Sequence, residues 1–471
     1  MEWETVVGLE VHVELATRTK MFCSCPAAFG HPPNTCCCPV CAGLPGALPT
    51  LNRRAVELAV RAALALDCTI NRHTRFDRKH YCYPDLPKAC QISQISLPLG
   101  WGGAVDIGSR HIGIHELHME EDAGKLTHGA DGLTRIDLNR CGIPLIEIVT
   151  CPDIRTGEEA VACLETLREI LQALGVSDCK MQEGSLRCDV NLSVRPAGSS
   201  SLGTRTEMKN LGSFRAVAQA IVQEGRRQIA VLEGGGQVVQ ETRRWDEERG
   251  KSLPMRSKGG RAHYRCFPEP DLPPLRLEEA WLAQMWADMP ELPAAKRMRY
   301  RVLWGLSEEE CRLLTAHPAL SRFFEQLVDL EVSPRQGANW MLGPLLGALN
   351  SRRLAPDEMA LTPPTLARLL GRVAEGRISR PAARQVLEGI FDTDGDVDAY
   401  IQAHGLEQVD DPAVVAEAVA RVLAECPKSV EDYRAGKNKV LGFLVGQVMR
   451  ALVGRADPNL VRRLLREELD G

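Results

Sequence analysis

The stretch "GLEVHVEL", Gly8 to Leu15, carries the pattern that decides the fold. Apolar residues alternate with Glu10, His12 and Glu14, and two of the apolar residues are valines, which favour an extended strand. Because a strand sends successive side chains to opposite faces, one face of this strand is apolar and the other is ionisable. The ionisable face could be a solvated sheet surface or the floor of a functional site.

The same alternation recurs in several later segments. It places Arg187, Asp189 and Asn191 on one side of a strand, puts Lys209 on the polar side of another, and leaves Glu147 among apolar neighbours. The segments are "SLRCDVNLSV" (185–194), "TRTEMKN" (204–210), "TRIDLN" (134–139) and "PLIEIV" (144–149). We expect strands of this design to share one sheet with a densely ionic second face.

An ionic sheet face of this kind suits phosphoryl transfer. Carboxylates can hold Mg²⁺, and Lys or Arg can meet the charge on phosphate oxygens. In "HMEEDAGK" the alternation places Glu120 on the side of His118 and leaves Glu121 on the other side, unless a β-bulge intervenes. No "GxxxxGK[ST]" motif is present, so a nucleotide would be held without a P-loop.

Length and composition set the protein class. The chain has 471 residues, which is too long for one core and predicts two or three domains. Its net charge of -5 gives no global signal for nucleic acid binding. The N-terminus "MEWETVVG" has no apolar signal region, and no apolar run approaches the roughly 18 residues that span a bilayer. We therefore expect a cytoplasmic protein that does not associate with membranes.

The chain contains 17 cysteines, six of them within residues 23–41. In a long chain without a secretion signal, such clustering favours a metal site over disulfides. Two close pairs separated by a loop could supply four thiolates to a structural Zn²⁺. The favoured ligands are Cys23, Cys25, Cys38 and Cys41, and the neighbours Cys36 and Cys37 leave the second pair open. The alternatives are reduced cysteines that serve as small hydrophobic residues, and a redox-active pair.

The pattern changes along the chain. Residues 1–290 read as α+β with mostly antiparallel strands, although 53–68 and 157–175 show helical spacing. After "DMPELP" (288–293), nearly every segment is helical in pattern. We predict a domain over 1–290, a helical domain over 294–405 and a helical tail over 408–471.

The predicted tail is locally basic. Between Tyr433 and Arg466 there are eight Lys or Arg and one acidic residue, Asp457. The basic residues are Arg434, Lys437, Lys439, Arg450, Arg455, Arg462, Arg463 and Arg466. This excess is typical of a phosphate-binding surface, although an ordinary solvated helix face could also produce it.

Seven ordered motifs resemble the GatB family, whose members are components of tRNA-dependent amidotransferases. They are "VGLEVHVEL", "FDRKHYCYPDLPKACQISQ", "HMEEDAGK", "DLNRCGIPLIEIV", "EGSLRCDVNLSVRP", "GTRTEMKNLGSF" and "YRCFPEPDLPPL". The likeness extends to "GFLVGQVM" in the tail, which resembles the YqeY-like domain of the family. It implies an α+β N-terminal cradle of antiparallel sheets and flanking helices, related to the glutamine synthetase/guanido kinase fold. All-helical middle and tail domains would follow, with the tail binding tRNA.

The resemblance also implies a reaction. The family binds misacylated Glu-tRNA(Gln) or Asp-tRNA(Asn), phosphorylates the side-chain carboxylate with Mg-ATP, and lets ammonia displace the phosphate. The ammonia comes from glutamine hydrolysed in the amidase partner GatA, and the small protein GatC clamps the pair. The present sequence has no Ser-Ser-Lys amidase signature of its own, so it would depend on a partner for nitrogen.

The motifs assign candidate site residues. The implied Mg²⁺ ligands are Glu10, His12, Glu120 and Glu121. The implied cations facing phosphate or the activated carboxylate are Lys79 and Lys209. The implied neighbours in the catalytic and nucleotide site are Arg187, Asp189, Asn191, Glu147, Arg265 and Glu269. The charged residues among them could instead form salt bridges at the surface or behind the site.

Two other functions remain open at the level of sequence. The chain could be a non-catalytic tRNA-binding scaffold whose ionic strands are purely structural. It could also be a stand-alone ATP-dependent ligase or kinase acting on a small carboxylate, although the basic tail argues against this. The sequence does not decide between Glu-tRNA(Gln) and Asp-tRNA(Asn) as substrate.

Overall fold

A computed structural model describes residues 2–255, 265–408, 412–434, 437, 439–452 and 456–470. The chain divides into two compact units, Met1–Pro293 and Ala294–Gly471, and each is described by itself.

Within its described residues, the first unit combines seventeen strands with four helices. The strands are β1 Trp3–Glu14, β2 Thr69–Ile70, β3 His73–Thr74, β4 Asp77–His80, β5 Cys90–Ser93, β6 Gly100–Trp101, β7 Ala104–Asp106, β8 His111–Glu121, β9 Lys125–His128, β10 Thr134–Asp137, β11 Pro144–Thr150, β12 Leu186–Pro196, β13 Thr206–Lys209, β14 Thr242–Asp246, β15 Lys251–Pro254, β16 Arg265–Pro268 and β17 Leu275–Arg276. The helices are α1 Arg53–Ala65, α2 Gly157–Ala173, α3 Phe214–Glu233 and α4 Glu279–Ala287. The two helices predicted at 53–68 and 157–175 correspond to α1 and α2.

A 13-stranded sheet organises this unit. Its main path runs β15-β14-β13-β12-β1-β11-β8-β5-β4-β16, and β2, β6 and β7 pair at its side. The strand pairs are antiparallel except β13–β14, which is parallel. The predicted α+β class with mostly antiparallel strands is confirmed. The segment 134–137 does not join the main sheet, because β10 pairs with β9 in a separate two-stranded sheet.

The alternation in β1 decides which face of the sheet is covered. Leu9, Val11 and Val13 have no exposed surface, and they share one hydrophobic core with α1, α2 and α3. Asn52 caps the N-terminus of α1, and its Oδ1 accepts hydrogen bonds from the backbone N–H groups of Arg54 (2.9 Å) and Ala55 (3.3 Å). The helices thus cover the apolar face, and the ionisable residues of β1 point to the opposite face.

The second unit is helical in the described residues. Its α-helices are α5 Pro293–Trp304, α6 Glu308–Thr315, α7 Pro318–Asp329, α8 Pro334–Trp340, α9 Leu346–Arg352, α10 Pro363–Ala374, α11 Arg380–Ile390, α12 Val397–Ala403, α13 Pro412–Glu425, α14 Pro427–Arg434, α15 Val440–Ala451 and α16 Pro458–Asp470. A π-helical turn, Met341–Leu345, joins α8 to α9, and a 3-10 turn spans Pro356–Glu358.

Buried residues of the second unit form two hydrophobic clusters, one drawn from residues 300–401 and the other from 415–469. The division of this unit into domains over 294–405 and 408–471 stays a prediction. None of the described helices is long and apolar enough to cross a membrane.

Candidate active site

A first group of potential metal ligands lies at the centre of the sheet, where three strands run side by side. His12 on β1 is opposite Glu147 on β11 in the register, and Glu120 is on β8, the next strand. The His12 Nε2 atom lies 3.5 Å from Glu120 Oε1 and 3.7 Å from Glu147 Oε2. One ligand atom from each of the three residues lies within 4.8 Å of the others.

A second group lies on the same face of the sheet, between β1 and the strands β12 and β13 at its other edge. It consists of Glu10, Asp189 on β12 and Glu207 on β13, with ligand atoms again within 4.8 Å of one another. Asn191 Nδ2 donates a 2.8 Å hydrogen bond to Glu10 Oε1. Lys209 Nζ lies 2.5 Å from Asp189 Oδ2 and 2.8 Å from Glu207 Oε1. The group is therefore a carboxylate cluster bridged by one lysine.

The carboxylates of these groups have opposite pKa shifts. Burial raises the pKa of Glu120, and burial together with the charge of Glu147 raises that of Glu10. Burial also disfavours the charged form of Glu147, but the hydrogen bond and charge of His118 outweigh it and lower the pKa of Glu147 to about 2. His118 Nε2 lies 2.7 Å from Glu147 Oε2. Divalent cations prefer oxygen ligands, and a bound cation would offset the repulsion from Glu147 that contributes to the raised pKa values of Glu10 and Glu120.

Several predicted residues lie with these groups. The positive charge of Lys79 on β4 favours the ionised forms of Glu120 and Glu147, although burial has the largest influence on the pKa of each. Arg187 donates from Nη2 to Asp122 Oδ2 at 2.9 Å, and its position in the register is opposite His12. The structure therefore places Lys79 and Arg187 beside the first group.

Three predicted residues are not brought together with these groups. Glu121 points to the other face of β8, where its carboxylate pairs with Lys88 Nζ and accepts a 3.1 Å hydrogen bond from Ile92 N–H. No bulge separates Glu120 from Glu121, so adjacent residues face opposite sides. Glu269 is buried and accepts two hydrogen bonds from Arg78, at 2.8 Å and 2.5 Å. Arg265 is exposed on the edge strand β16.

Sequence reasoning did not assign His118, Glu207 or Asp122 to the site. His118 and Glu207 are in phase with assigned residues on their own strands, so the period-two rule could have found both. Asp122 lies just beyond the end of β8 and salt-bridges Arg187 and Arg140. The position of Asp122 depends on how the chain leaves the strand, which alternation does not predict.

A cavity of about 600 Å³ lies next to the ionic face. Glu14, Arg187, Asp189 and Arg140 line it, together with Phe29 from the loop between the cysteine pairs. Burial, with the charge of Asp122, raises the pKa of Glu14 to about 7. The cavity thus combines cationic groups with several carboxyl groups, one of which has a pKa near neutral pH.

The sulfur atoms of Cys23, Cys25, Cys38 and Cys41 lie within 4.8 Å of one another. A hydrogen bond from the Cys23 thiol lowers the pKa of Cys41 to about 4, and burial raises that of Cys25 to about 12. Four thiol groups converging at this spacing could bind a metal ion, and they are the ligand set of structural zinc sites. Cys36 lies outside the group, and its N–H donates to Asn139 Oδ1 at 2.8 Å.

Comparisons with known proteins agree with this architecture. Residues 5–283 match the family model described as the GatB/GatE catalytic domain, and residues 322–469 match the model described as the GatB domain. The GatB component of the aspartyl/glutamyl-tRNA(Asn/Gln) amidotransferase from Caldicellulosiruptor saccharolyticus is 52% identical, with both chains fully covered. The proteins of the same name from Moorella thermoacetica and Lachnoclostridium phytofermentans are 50% and 48% identical, over 100% and 99% of each chain. The chain therefore belongs to the GatB/GatE family.

Proposed function

We propose that the chain is the catalytic GatB component of an aspartyl/glutamyl-tRNA(Asn/Gln) amidotransferase, an ATP-dependent ligase that forms a carbon–nitrogen bond with glutamine as nitrogen donor. It phosphorylates the side-chain carboxylate of Glu-tRNA(Gln) or Asp-tRNA(Asn), and ammonia then replaces the phosphate. The observation that carries this proposal is the pair of adjacent carboxylate groups on one sheet face, flanked by Lys79 and Lys209.

Both groups supply candidate ligands for the metal of Mg-ATP. His12, Glu120 and Glu147 would hold one Mg²⁺, and Glu10 with Asp189 and Glu207 would provide a second cluster of oxygen ligands. Bound Mg²⁺ neutralises charge on phosphate oxygens, which lowers the barrier to phosphoryl transfer.

The cations of the site orient anionic oxygens. Lys209 lies between Asp189 and Glu207, so it can exchange a carboxylate partner for a phosphate oxygen without moving far. Arg187 is held by Asp122 at the edge of the 600 Å³ cavity, where it can face the substrate carboxylate. These side chains lie on strands, and rigid strands position charges accurately.

The proposed enzyme works with partners. An amidase, GatA, supplies ammonia from glutamine, and the small protein GatC clamps the two larger chains in the cytoplasm. The names of the relatives identify them as components of a larger enzyme, which supports this assembly. The tail over 408–471 contacts the tRNA backbone through the basic residues between 433 and 466.

The cysteine group holds a structural Zn²⁺ in this proposal. Its four sulfur atoms come from two close pairs, and such closed sites organise a fold without taking part in chemistry. The metal would fix the loop over residues 26–37, which carries Phe29 to the wall of the cavity.

The proposal can be tested in the complex reconstituted with the amidase and the small partner. We expect His12→Ala and Glu120→Gln each to reduce Glu-tRNA-dependent ATP hydrolysis at least about 100-fold, since charge stabilisation is the main source of catalysis here. Binding of the misacylated tRNA should survive in both variants. Near-normal ATP hydrolysis in either variant would rule out the assigned metal group. Glu165→Gln, on the exposed side of α2, is the control.

A second measurement separates an enzyme from a scaffold. The wild-type complex should convert Glu-tRNA(Gln), Asp-tRNA(Asn) or both to the amide in the presence of Mg-ATP, with glutamine or ammonium as donor. A complex that binds both tRNAs and forms no amide with either donor would favour the scaffold. Amide formation on free glutamate without tRNA would favour a stand-alone ligase.

A further inference from the structure

Lys20 is a lysine with no exposed surface, six residues after the end of β1. Its ammonium contacts two atoms: Cys41 Sγ at 3.6 Å and the backbone carbonyl oxygen of Leu138 at 3.1 Å. No carboxylate within the described ranges forms a salt bridge with it. By contrast, the half-buried Lys88 of the same region is paired with Glu121.

Burial of an ammonium without an opposite charge is strongly unfavourable. A peptide carbonyl carries no net charge, so an ammonium at this position is favoured when an anion lies among its contacts. The sulfur of Cys41 is the group in contact that can carry a negative charge. Four thiolates around one Zn²⁺ retain a net charge of about −2, which one ammonium would partly neutralise.

Lys20 also connects the two halves of the cysteine group. Its backbone N–H donates to the carbonyl oxygen of Cys25 at 3.0 Å, while its side chain reaches Cys41 in the second pair. The next residue, Met21, donates from its N–H to the carbonyl oxygen of Gly142 at 2.7 Å. The segment is therefore fixed to both cysteine pairs and to the 138–142 loop.

We propose that Lys20 is the buried counter-ion of the cysteine metal site and that its ammonium fixes the Cys41 thiolate against the Leu138 carbonyl. The inference rests on the proposed Zn²⁺ site and adds a residue outside the ligand set. Lys20 is a positioning residue that touches no substrate. Its role predicts an effect on metal affinity.

Zinc affinity of the full-length chain in its complex provides the test, measured by competition with a chromophoric chelator. Lys20→Met keeps the length of the side chain and removes the charge, and we expect zinc binding to weaken about 10- to 100-fold, as for other groups that contact metal ligands. Arg18→Met removes an equal charge from an exposed position two residues away and should leave the affinity unchanged. Wild-type affinity in a folded Lys20→Met variant would overturn the proposal.

A measurement on the wild type covers the case in which Lys20→Met does not fold. Amine-directed labelling, read by mass spectrometry, should modify Lys20 more extensively after zinc is removed by a chelator, because the metal no longer holds the cysteine group closed around its buried ammonium. Lys88, which keeps its Glu121 partner, is the internal control. Equal labelling of Lys20 with and without zinc would contradict the proposed role.

The outcomes separate the two proposals. A wild-type protein that contains no zinc and binds none refutes the metal site, and with it the role of Lys20. A wild-type protein that binds zinc, with an affinity indifferent to Lys20, refutes the role of Lys20 alone.

Discussion

Glu14 shows how one residue of β1 differs from its neighbours of the same pattern. Glu10 and Glu14 are both on the ionisable face, but Glu10 accepts a hydrogen bond from Asn191. Glu14 faces the cavity near Asp122, and burial raises its pKa to about 7 from the usual 4.5. The folded protein therefore holds this proton more tightly than the unfolded chain does, so Glu14 costs stability wherever it is ionised.

The pH dependence of Glu14→Gln follows from this shift. Below pH 4.5 both states of the wild type are protonated, and the variant gains nothing. As pH rises from 4.5 through 7, the wild type loses stability, and the variant should become more stable by about 1–3 kcal/mol at pH 8. The measurement is the free energy of unfolding of the first unit, or its melting temperature, as a function of pH. Glu165→Gln is the control, and an equal pH profile for Glu14→Gln and wild type would refute the assignment.

Single residues also show where sequence reasoning stops. Alternation alone places Glu10 and His12 on one face, and it indicates correctly that Glu121 leaves the face of Glu120. The family motif includes Glu121 among the metal ligands, and the structure instead pairs it with Lys88. Which strands lie next to β1 is a non-local property, so the contact of His12 with Glu147 could not be derived from spacing.

At the scale of elements, helix α3 is attached to the sheet through one buried carboxylate. Glu224 has no exposed surface, and it accepts hydrogen bonds from Thr206 on β13 (3.0 Å) and Ser252 on β15 (2.7 Å). Arg227 donates twice to the same carboxylate, at 2.9 Å and 2.6 Å. Arg243 on β14 approaches within 3.4 Å. One side chain thus joins the helix to three strands, including β13, which carries Glu207 and Lys209.

Removal of this carboxylate should be costly. In Glu224→Leu the half-buried Arg227 loses its carboxylate partner, and the buried Arg243 keeps only Glu241 as a carboxylate partner. We expect the first unit to lose about 3–5 kcal/mol of unfolding free energy. Arg226→Leu, on the exposed side of the same helix, should change it by less than about 0.5 kcal/mol. Thermal or urea unfolding measures the difference. A loss below about 1 kcal/mol for Glu224→Leu would show that the network is not structural.

Helices and strands could be predicted where the apolar residues of a segment follow one regular spacing. Helices α1 and α2 and strands β1 and β12 follow from apolar spacing, because each buries one face against the same core. The short strand β10 carries the same alternation as β12, yet it pairs with β9 outside the main sheet. The alternation of apolar and polar residues indicates that one face of a strand is polar, but it does not indicate which sheet the strand joins.

At the scale of the whole molecule, the proposed zinc stabilises the fold of the first unit. Asn34 and Asn139 already hold the loop between the cysteine pairs, for example through Asn139 Nδ2 and the carbonyl oxygen of Pro32 at 2.7 Å. Because a metal that binds only the folded state adds to its stability, chelation should lower the melting temperature of the first unit.

This effect has a matched control. The Cys38→Ser/Cys41→Ser double variant should melt at a lower temperature than wild type and should not respond to the chelator. Calorimetry of both proteins with and without chelator is the measurement. A wild type that contains zinc but melts at the same temperature after its removal would contradict a structural role for the metal.

The positive charge of the tail is concentrated in residues 433–466, which we call the basic window. All the described basic residues between 433 and 466 are exposed, whereas Arg455 lies outside the described residues. Lys437 is paired with Asp432 at 2.8 Å, and Arg463 is 4.0 Å from Glu467. Acidic residues flank the window on both sides, at 431–432 and 467–470. The excess is therefore local, and a phosphate contact should depend on a few side chains.

Arg462 and Arg466 are exposed on α16, with no salt bridge to any described residue. If both contact tRNA phosphates, Arg462→Gln/Arg466→Gln should weaken binding and reduce the slope of log affinity against log salt by about 1.4–1.8, the release of two counterions. The Arg421→Gln/Lys428→Gln variant removes two exposed charges outside the window and should leave the slope unchanged. Filter binding of tRNA(Gln) between about 50 and 200 mM salt spans the range in which such slopes are measurable. Equal slopes for the two double variants would mean that the tail charges only solvate the helix, because a phosphate contact cannot be lost without changing the number of released ions.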